Sequence, residues 1–160
     1  MFTHPERQFA VVLAGIVALS TTAALAQQAA APPIPDPTHI PFTLAKDIKW
    51  EGDPQYGSQQ AKLFGDPGKP GLYGILIKWL PGHYSRPHFH NTDRYVMVIS
   101  GTWWVSSSEV YDLKTLFPMP AGTFVTDIAK TVHWDGAKDE PAVLELVGMG
   151  PVSTTPAEKR

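Results

Sequence analysis

The run GHYSRPHFHNTDRYVMVISG, residues 82–101, decides how this chain is read. His88 and His90 flank Phe89, and residues two apart in an extended segment point to the same face, so two imidazoles converge on one point. Neutral imidazole suits zinc, copper, iron and nickel. Tyr95 to Ile99 then follows as a β-rich stretch, apolar on both faces; Gly101 punctuates it, and Thr102 to Val105 resumes the same composition. Two solvated histidines on an exposed strand would not adjoin so apolar a run, and the pair is read as metal ligands.

Moving outward, no stretch of ten or more residues keeps a 3.6-residue apolar period. In Leu72 to Trp79, by contrast, Tyr73, Ile75, Ile77 and Trp79 share one face of an extended chain. Ala61 to Phe64, Thr123 to Asp127 and Ala142 to Val147 are further strand candidates. Turn signals stand at Gly65-Asp66-Pro67-Gly68, Pro81-Gly82, Pro120-Ala121-Gly122 and Asp135-Gly136. One helical turn fits Ser108 to Leu116, where Val110, Leu113 and Leu116 are three apart. With 13 Gly and 16 Pro among 160 residues, a helical bundle is disfavoured. The pattern is all-β: an antiparallel sandwich or barrel, the jelly-roll group included.

Composition narrows the chemistry. There is no cysteine, so disulfides, thiolate metal sites and cysteine nucleophiles are excluded together, and a metal must be held by His, Asp, Glu or backbone oxygen. Lys plus Arg number 13 against 15 Asp plus Glu, which leaves no basic excess for a nucleic-acid partner. Residues 1–26 read as a secretory signal peptide: Arg7 precedes an apolar run from Phe9 to Leu19, and Ala24-Leu25-Ala26 supplies the cleavage site. The run is about half of the roughly 20 apolar residues that span a bilayer, so no stable membrane anchor is expected and the mature protein is periplasmic or secreted. Residues 27–44 read as an extended segment, 45–150 as the folded barrel, and 151–160 as a loose tail without apolar periodicity.

His133 lies beyond another strand candidate. Spacing alone leaves it either a third ligand or a core or surface histidine. His83, next to Gly82 in a turn, reads as a rim residue.

The 82–101 run resembles the first motif of the cupin superfamily, in which a glycine, five residues, His-x-His, three or four residues, a glutamate, six residues and a second glycine follow one another. Here Gly82, His88-Phe89-His90, Arg94 and Gly101 occupy those positions, and all but Arg94 match. The second motif, a Pro-x-Gly-x-x-His turn, is degraded to its histidine in Ile128-Ala129-Lys130-Thr131-Val132-His133, although Pro120-Ala121-Gly122-Thr123-Phe124-Val125 resembles the turn and strand that lead into it. The resemblance implies a double-stranded β-barrel with a divalent transition metal inside, His133 as third ligand beside His88 and His90, and a homodimer. Iron(II) leads among the metals, with zinc, manganese and nickel as alternatives.

Where the family has a metal-binding glutamate, this chain has Arg94, which carries donors only and cannot ligate a cation. Three arrangements are open. Arg94 can turn outward and pair with Asp93 or another carboxylate, leaving a three-histidine site like that of the three-histidine cupin dioxygenases. It can point inward and bind an anionic substrate. Or Asp93 or Asp127 can replace the glutamate, Asp93 being weakened because a one-residue shift reverses the strand face. The leading functional expectation is an exported oxygenase acting on a small anionic or enol-type molecule, with Arg94 as a substrate contact. The alternatives are a non-catalytic small-ligand or metal-binding protein and a metal-dependent isomerase or lyase. Trp79, Trp103, Trp104, Phe89, Met97 and Trp134 adjoin the histidines, and one or two of them are expected to line the ligand cavity.

Overall fold

The computed structural model describes residues 31–159; the expected signal sequence lies outside them. Residues up to 41 belong to one compact unit and residues from 42 onward to another. In the described part of the first, Asp36 accepts hydrogen bonds from the Thr38 amide at 2.8 Å and its hydroxyl at 2.7 Å, a local turn with no strand or helix around it.

The second unit is built from β1 (Ser58–Phe64), β2 (Gly71–Trp79), β3 (His83–Tyr84), β4 (His88–His90), β5 (Arg94–Ser100), β6 (Thr102–Ser106), β7 (Phe117–Pro120), β8 (Phe124–Asp127), β9 (Trp134–Ala137), β10 (Ala142–Gly150) and β11 (Thr154–Pro156). The order β1-β2-β10-β5-β8 makes one sheet, β3-β9-β6-β7 a second, and β11 pairs with β4; these pairings are antiparallel. The only helical elements among the described residues are 3-10 turns, one of them at Leu113–Thr115 inside the segment whose apolar spacing suggests a turn of helix.

Period-two alternation decides which face is buried. Tyr73 and Ile75 on β2, Val96 and Val98 on β5, and Leu144 and Leu146 on β10 form the core with Trp103 from β6. Each such side chain contributes about 1.5–3 kcal/mol of transfer free energy. The neighbouring positions Tyr95, Met97 and Ile99 on β5 are half exposed, so an apolar run on both faces of a strand here buries only one of them. Gly101 turns β5 into β6 with φ at +71°, and a Cβ there would lie 2.1 Å from the Pro141 carbonyl oxygen. Only glycine meets both conditions.

Three segments depart from the sequence reading. Phe117–Pro120 forms a strand despite two prolines because β7 is an edge strand, whose outward positions need no ladder donor. Asp135-Gly136 is no turn: both residues are buried in β9, which has β3 on one side and β6 on the other. Gly136 allows this, since a Cβ would stand 2.1 Å from the His83 carbonyl oxygen. Finally, the tail expected to be loose carries β11, in register with β4 as Thr154↔His90, Thr155↔Phe89 and Pro156↔His88. Arg86 Nε donates to Glu158 at 2.8 Å, and the amides of Ala157 and Lys159 donate to the carbonyls of Pro87 and Glu109. Polar backbone pairing, which leaves no hydrophobic period to read, holds this segment down.

Candidate metal centre

Backbone register brings the three histidines together. His88 and His133 are antiparallel bridge partners, each amide donating to the other's carbonyl at 2.9 Å, so their side chains project to the same side. His90, two residues along β4, joins them. The ring centroids lie 4.5 Å apart for His88 and His133, 4.9 Å for His88 and His90, and 5.4 Å for His90 and His133. One nitrogen from each lies within 4.8 Å of the others, an arrangement able to hold a metal ion.

The outer nitrogens fix how each ring is protonated. His88 Nδ1 donates to the Arg86 carbonyl at 2.7 Å, His90 Nδ1 to the Ser153 carbonyl at 3.2 Å, and His133 Nδ1 to the Thr131 carbonyl at 3.3 Å. A carbonyl only accepts, so each neutral imidazole keeps its proton on Nδ1 and presents Nε2 as a lone pair. The Nε2 atoms of His88 and His90 then face one another at 3.1 Å with no proton between them. Two nitrogens bound at about 2.1 Å to one ion, at tetrahedral or octahedral angles, stand about 3.0–3.4 Å apart. The donor set therefore fits a divalent transition metal. Burial, aided by Arg94 and the other two histidines, lowers the His90 pKa to about 3, and burial with His133 also lowers that of His88. Both rings are neutral, and so competent as ligands, at neutral pH.

Arg94 points inward. It heads the inward series Arg94, Val96, Val98 on β5, and its cross-strand partner on β8 is Asp127. Arg94 Nε donates to Asp127 Oδ2 at 2.7 Å, and Nη2 donates to the same oxygen. Both side chains are largely buried, at 13% and 7% exposure, which excludes the surface pair. Nη2 also lies 3.5 Å from His133 Nε2, and Asp127 Oδ1 lies 3.3 Å from His133 Nδ1. Asp127 is thus committed to orienting Arg94 and His133 and does not stand in for the family's glutamate. Asp93 faces away, its carboxylate accepting the Ala129 amide at 2.8 Å.

His88 and His90 open on a cavity of about 470 Å³, within the range of small-ligand sites; His133 is not part of its wall. Its wall includes His88, His90 and Arg94, the apolar Tyr73, Ile75 and Ile77, and two of the expected aromatics, Trp79 and Trp103. Trp134 is buried away from it, edge-on to Tyr84, and Trp104 lies under the Lys138 ammonium. His83 is exposed and is not among the residues of the cavity wall, its Nδ1 donating to the Pro81 carbonyl. Sequence reasoning missed Asp135, which lines the cavity and is 8% exposed. The available signal was parity with His133, two residues earlier, and the turn reading of Asp135-Gly136 hid it.

No family model matches the sequence, and no curated protein matches it. Solved structures do. The polyketide cyclase RemF of Streptomyces resistomycificus superposes with a TM-score of 0.61 at 15% identity, over 74% of this chain and 86% of that one. An RmlC-like cupin from Shewanella frigidimarina gives 0.54 at 15% identity over 69% and 91%. A sugar phosphate isomerase of the cupin superfamily from Silicibacter pomeroyi gives 0.52 at 21% identity over 69% and 76%. At these identities the likeness establishes architecture, and the architecture is the cupin double-stranded β-barrel. This chain is a cupin-fold protein with a three-histidine cluster and an arginine in the glutamate position.

Proposed function

We propose that this protein is an exported, metal-dependent cupin-fold enzyme acting on a small molecule through an oxyanion or enol oxygen, with His88, His90 and His133 as the metal ligands. One observation carries this reading: three imidazoles whose Nδ1 atoms are held by backbone carbonyls, leaving lone pairs aimed at a common point. A divalent metal bound there supplies Lewis acidity and, as iron(II), the capacity to bind oxygen. The chain's own contribution is positional. Asp127 holds His133 and Arg94 in place, and Arg94 Nη1, left over from the pair with Asp127, is available to an anionic group of the ligand. The cavity wall beside these groups is largely apolar, which suits the carbon skeleton of such a molecule.

Oxygenation is the first reading of the reaction. A redox-neutral isomerisation, cyclisation or elimination is the second, favoured by the activities named for the polyketide cyclase and the sugar phosphate isomerase that share the fold. Elemental analysis of protein purified without added metal, followed by an oxygen electrode on a panel of enols, 1,3-diketones and hydroxy acids, separates them. Stoichiometric iron with oxygen uptake supports the first, and product formation without uptake the second. If no metal binds, the enzyme reading falls and the barrel is a ligand-binding protein.

A further inference from the structure

The cavity wall also holds a group that the metal centre does not use. Asp135 is buried, lines the cavity and makes no ion pair with any described residue. Its Oδ2 accepts the indole N–H of Trp79 at 2.9 Å and of Trp103 at 2.8 Å, and its Oδ1 accepts the Ser85 hydroxyl at 2.9 Å. A carboxylate offers about four lone-pair positions, so three neutral donors leave one on Oδ1. A buried carboxylate with no cationic partner is costly, and a purely structural tie between two sheets could be made at lower cost by a neutral acceptor.

We propose that Asp135 is a second recognition pole of this cavity, accepting a hydrogen bond from a hydroxyl or ammonium group of the bound molecule. His133 and Asp135 are two residues apart entering β9, a backbone spacing of roughly 6.5–7 Å on one strand face. Tyr73, Ile75 and Ile77 line the same cavity as His88, His90, Arg94 and Asp135. The ligand is therefore bifunctional: an oxyanion or enol oxygen at the histidine and Arg94 end, a short apolar middle, and a donor at the Asp135 end. The oxyanion end rests on the function proposed above; the donor end does not.

The test uses the mature protein, metal-loaded and metal-free, with three matched series of probes: propanoate, butanoate and pentanoate, their ω-hydroxy forms and their ω-amino forms. Affinity is read by calorimetry and by the change in tryptophan fluorescence, to which Trp79 and Trp103 beside Asp135 contribute. In the wild type, at least one donor-bearing acid is expected to bind about tenfold tighter than its unsubstituted partner, since the hydrogen bond is to a charged acceptor. In Asp135→Asn, which keeps the shape and one oxygen acceptor, that preference is expected to vanish. Equal affinities across the wild-type series, no binding by any probe, or a preference that survives in Asp135→Asn overturns the proposal. Because the wild-type comparison decides by itself, misfolding of the variant does not rescue it. Metal content is measured separately, so a protein that binds no metal but still prefers donor-bearing acids refutes the metal centre and keeps the pole.

Discussion

Arg94 shows how far a single residue could be read and where the reading stopped. The sequence left three arrangements open for Arg94, and the structure turns it inward; nothing in the sequence said that Asp127 would meet it there, because that depends on the register between β5 and β8. The pair changes what substitution should do. Arg94→Ala leaves Asp127 buried and uncompensated, so we expect a loss of about 3 kcal/mol in urea unfolding of the metal-free protein, against less than about 1 for a surface pair. Arg94→Glu restores the family's carboxylate beside the histidines and should bind divalent metal more tightly than wild type, while destabilising the metal-free form by setting two carboxylates together. Unchanged metal affinity in both variants would remove Arg94 from the site. His88→Ala, His90→Ala and His133→Ala should each abolish stoichiometric metal while keeping a β-rich circular dichroism spectrum. The histidines also set a pH dependence. In the unfolded chain they titrate near 6.5, whereas in the fold His88 lies below that and His90 falls to about 3. Between those values the unfolded chain holds more protons, so the stability of the metal-free protein should be complete above pH 6.5 and decline as pH falls toward 3. In His90→Gln the decline should be shallower; an equal slope would contradict the assignment.

Among the elements, apolar β-rich runs were legible whatever their length, and polar or proline-bearing segments were not. β1, β2, β5, β6, β8 and β10 fall on the strand candidates, and β4 on the extended His88-Phe89-His90 segment. β9 and β11 span four and three residues and are held by pairing partners distant in sequence, a cause that no local period records. β11 has the larger functional consequence. The Ser153 carbonyl and the Thr154 hydroxyl oxygen, 3.2 and 3.1 Å from His90 Nδ1, fix that ring's tautomer and direction. Deleting residues 152–160 should therefore weaken metal binding by about 10- to 100-fold, the usual effect of losing such outer partners, with the β-sheet spectrum retained. A truncated chain with full affinity would show that His90 is oriented without this strand.

At the scale of the whole molecule, composition and turn density were enough to disfavour a helical bundle, and one motif was enough to point to the barrel. The interior polar pattern was not legible, because the cavity joins residues from eight strands. If the centre binds metal in the native state only, a hundredfold excess of metal over its Kd should raise the unfolding free energy by about 2.7 kcal/mol, visible as a rise in Tm that chelator reverses. Mass spectrometry of exported protein should find Gln27 as the first residue; retention of residues 1–26 would remove the proposed cleavage after Ala26. The pairing of β11 with β4 also imposes an order in time. Along the chain His88 and His90 come first, Asp127 and His133 follow some 40 residues later, and Ser153 and Thr154 come after both. A polypeptide growing from its N-terminus thus carries an incomplete centre until the last of these emerges, and ions met during synthesis find histidines that are neither converged nor oriented. If the chain is exported as proposed, the metal it holds is then decided by the compartment in which the finished chain folds, rather than by the one in which it is made.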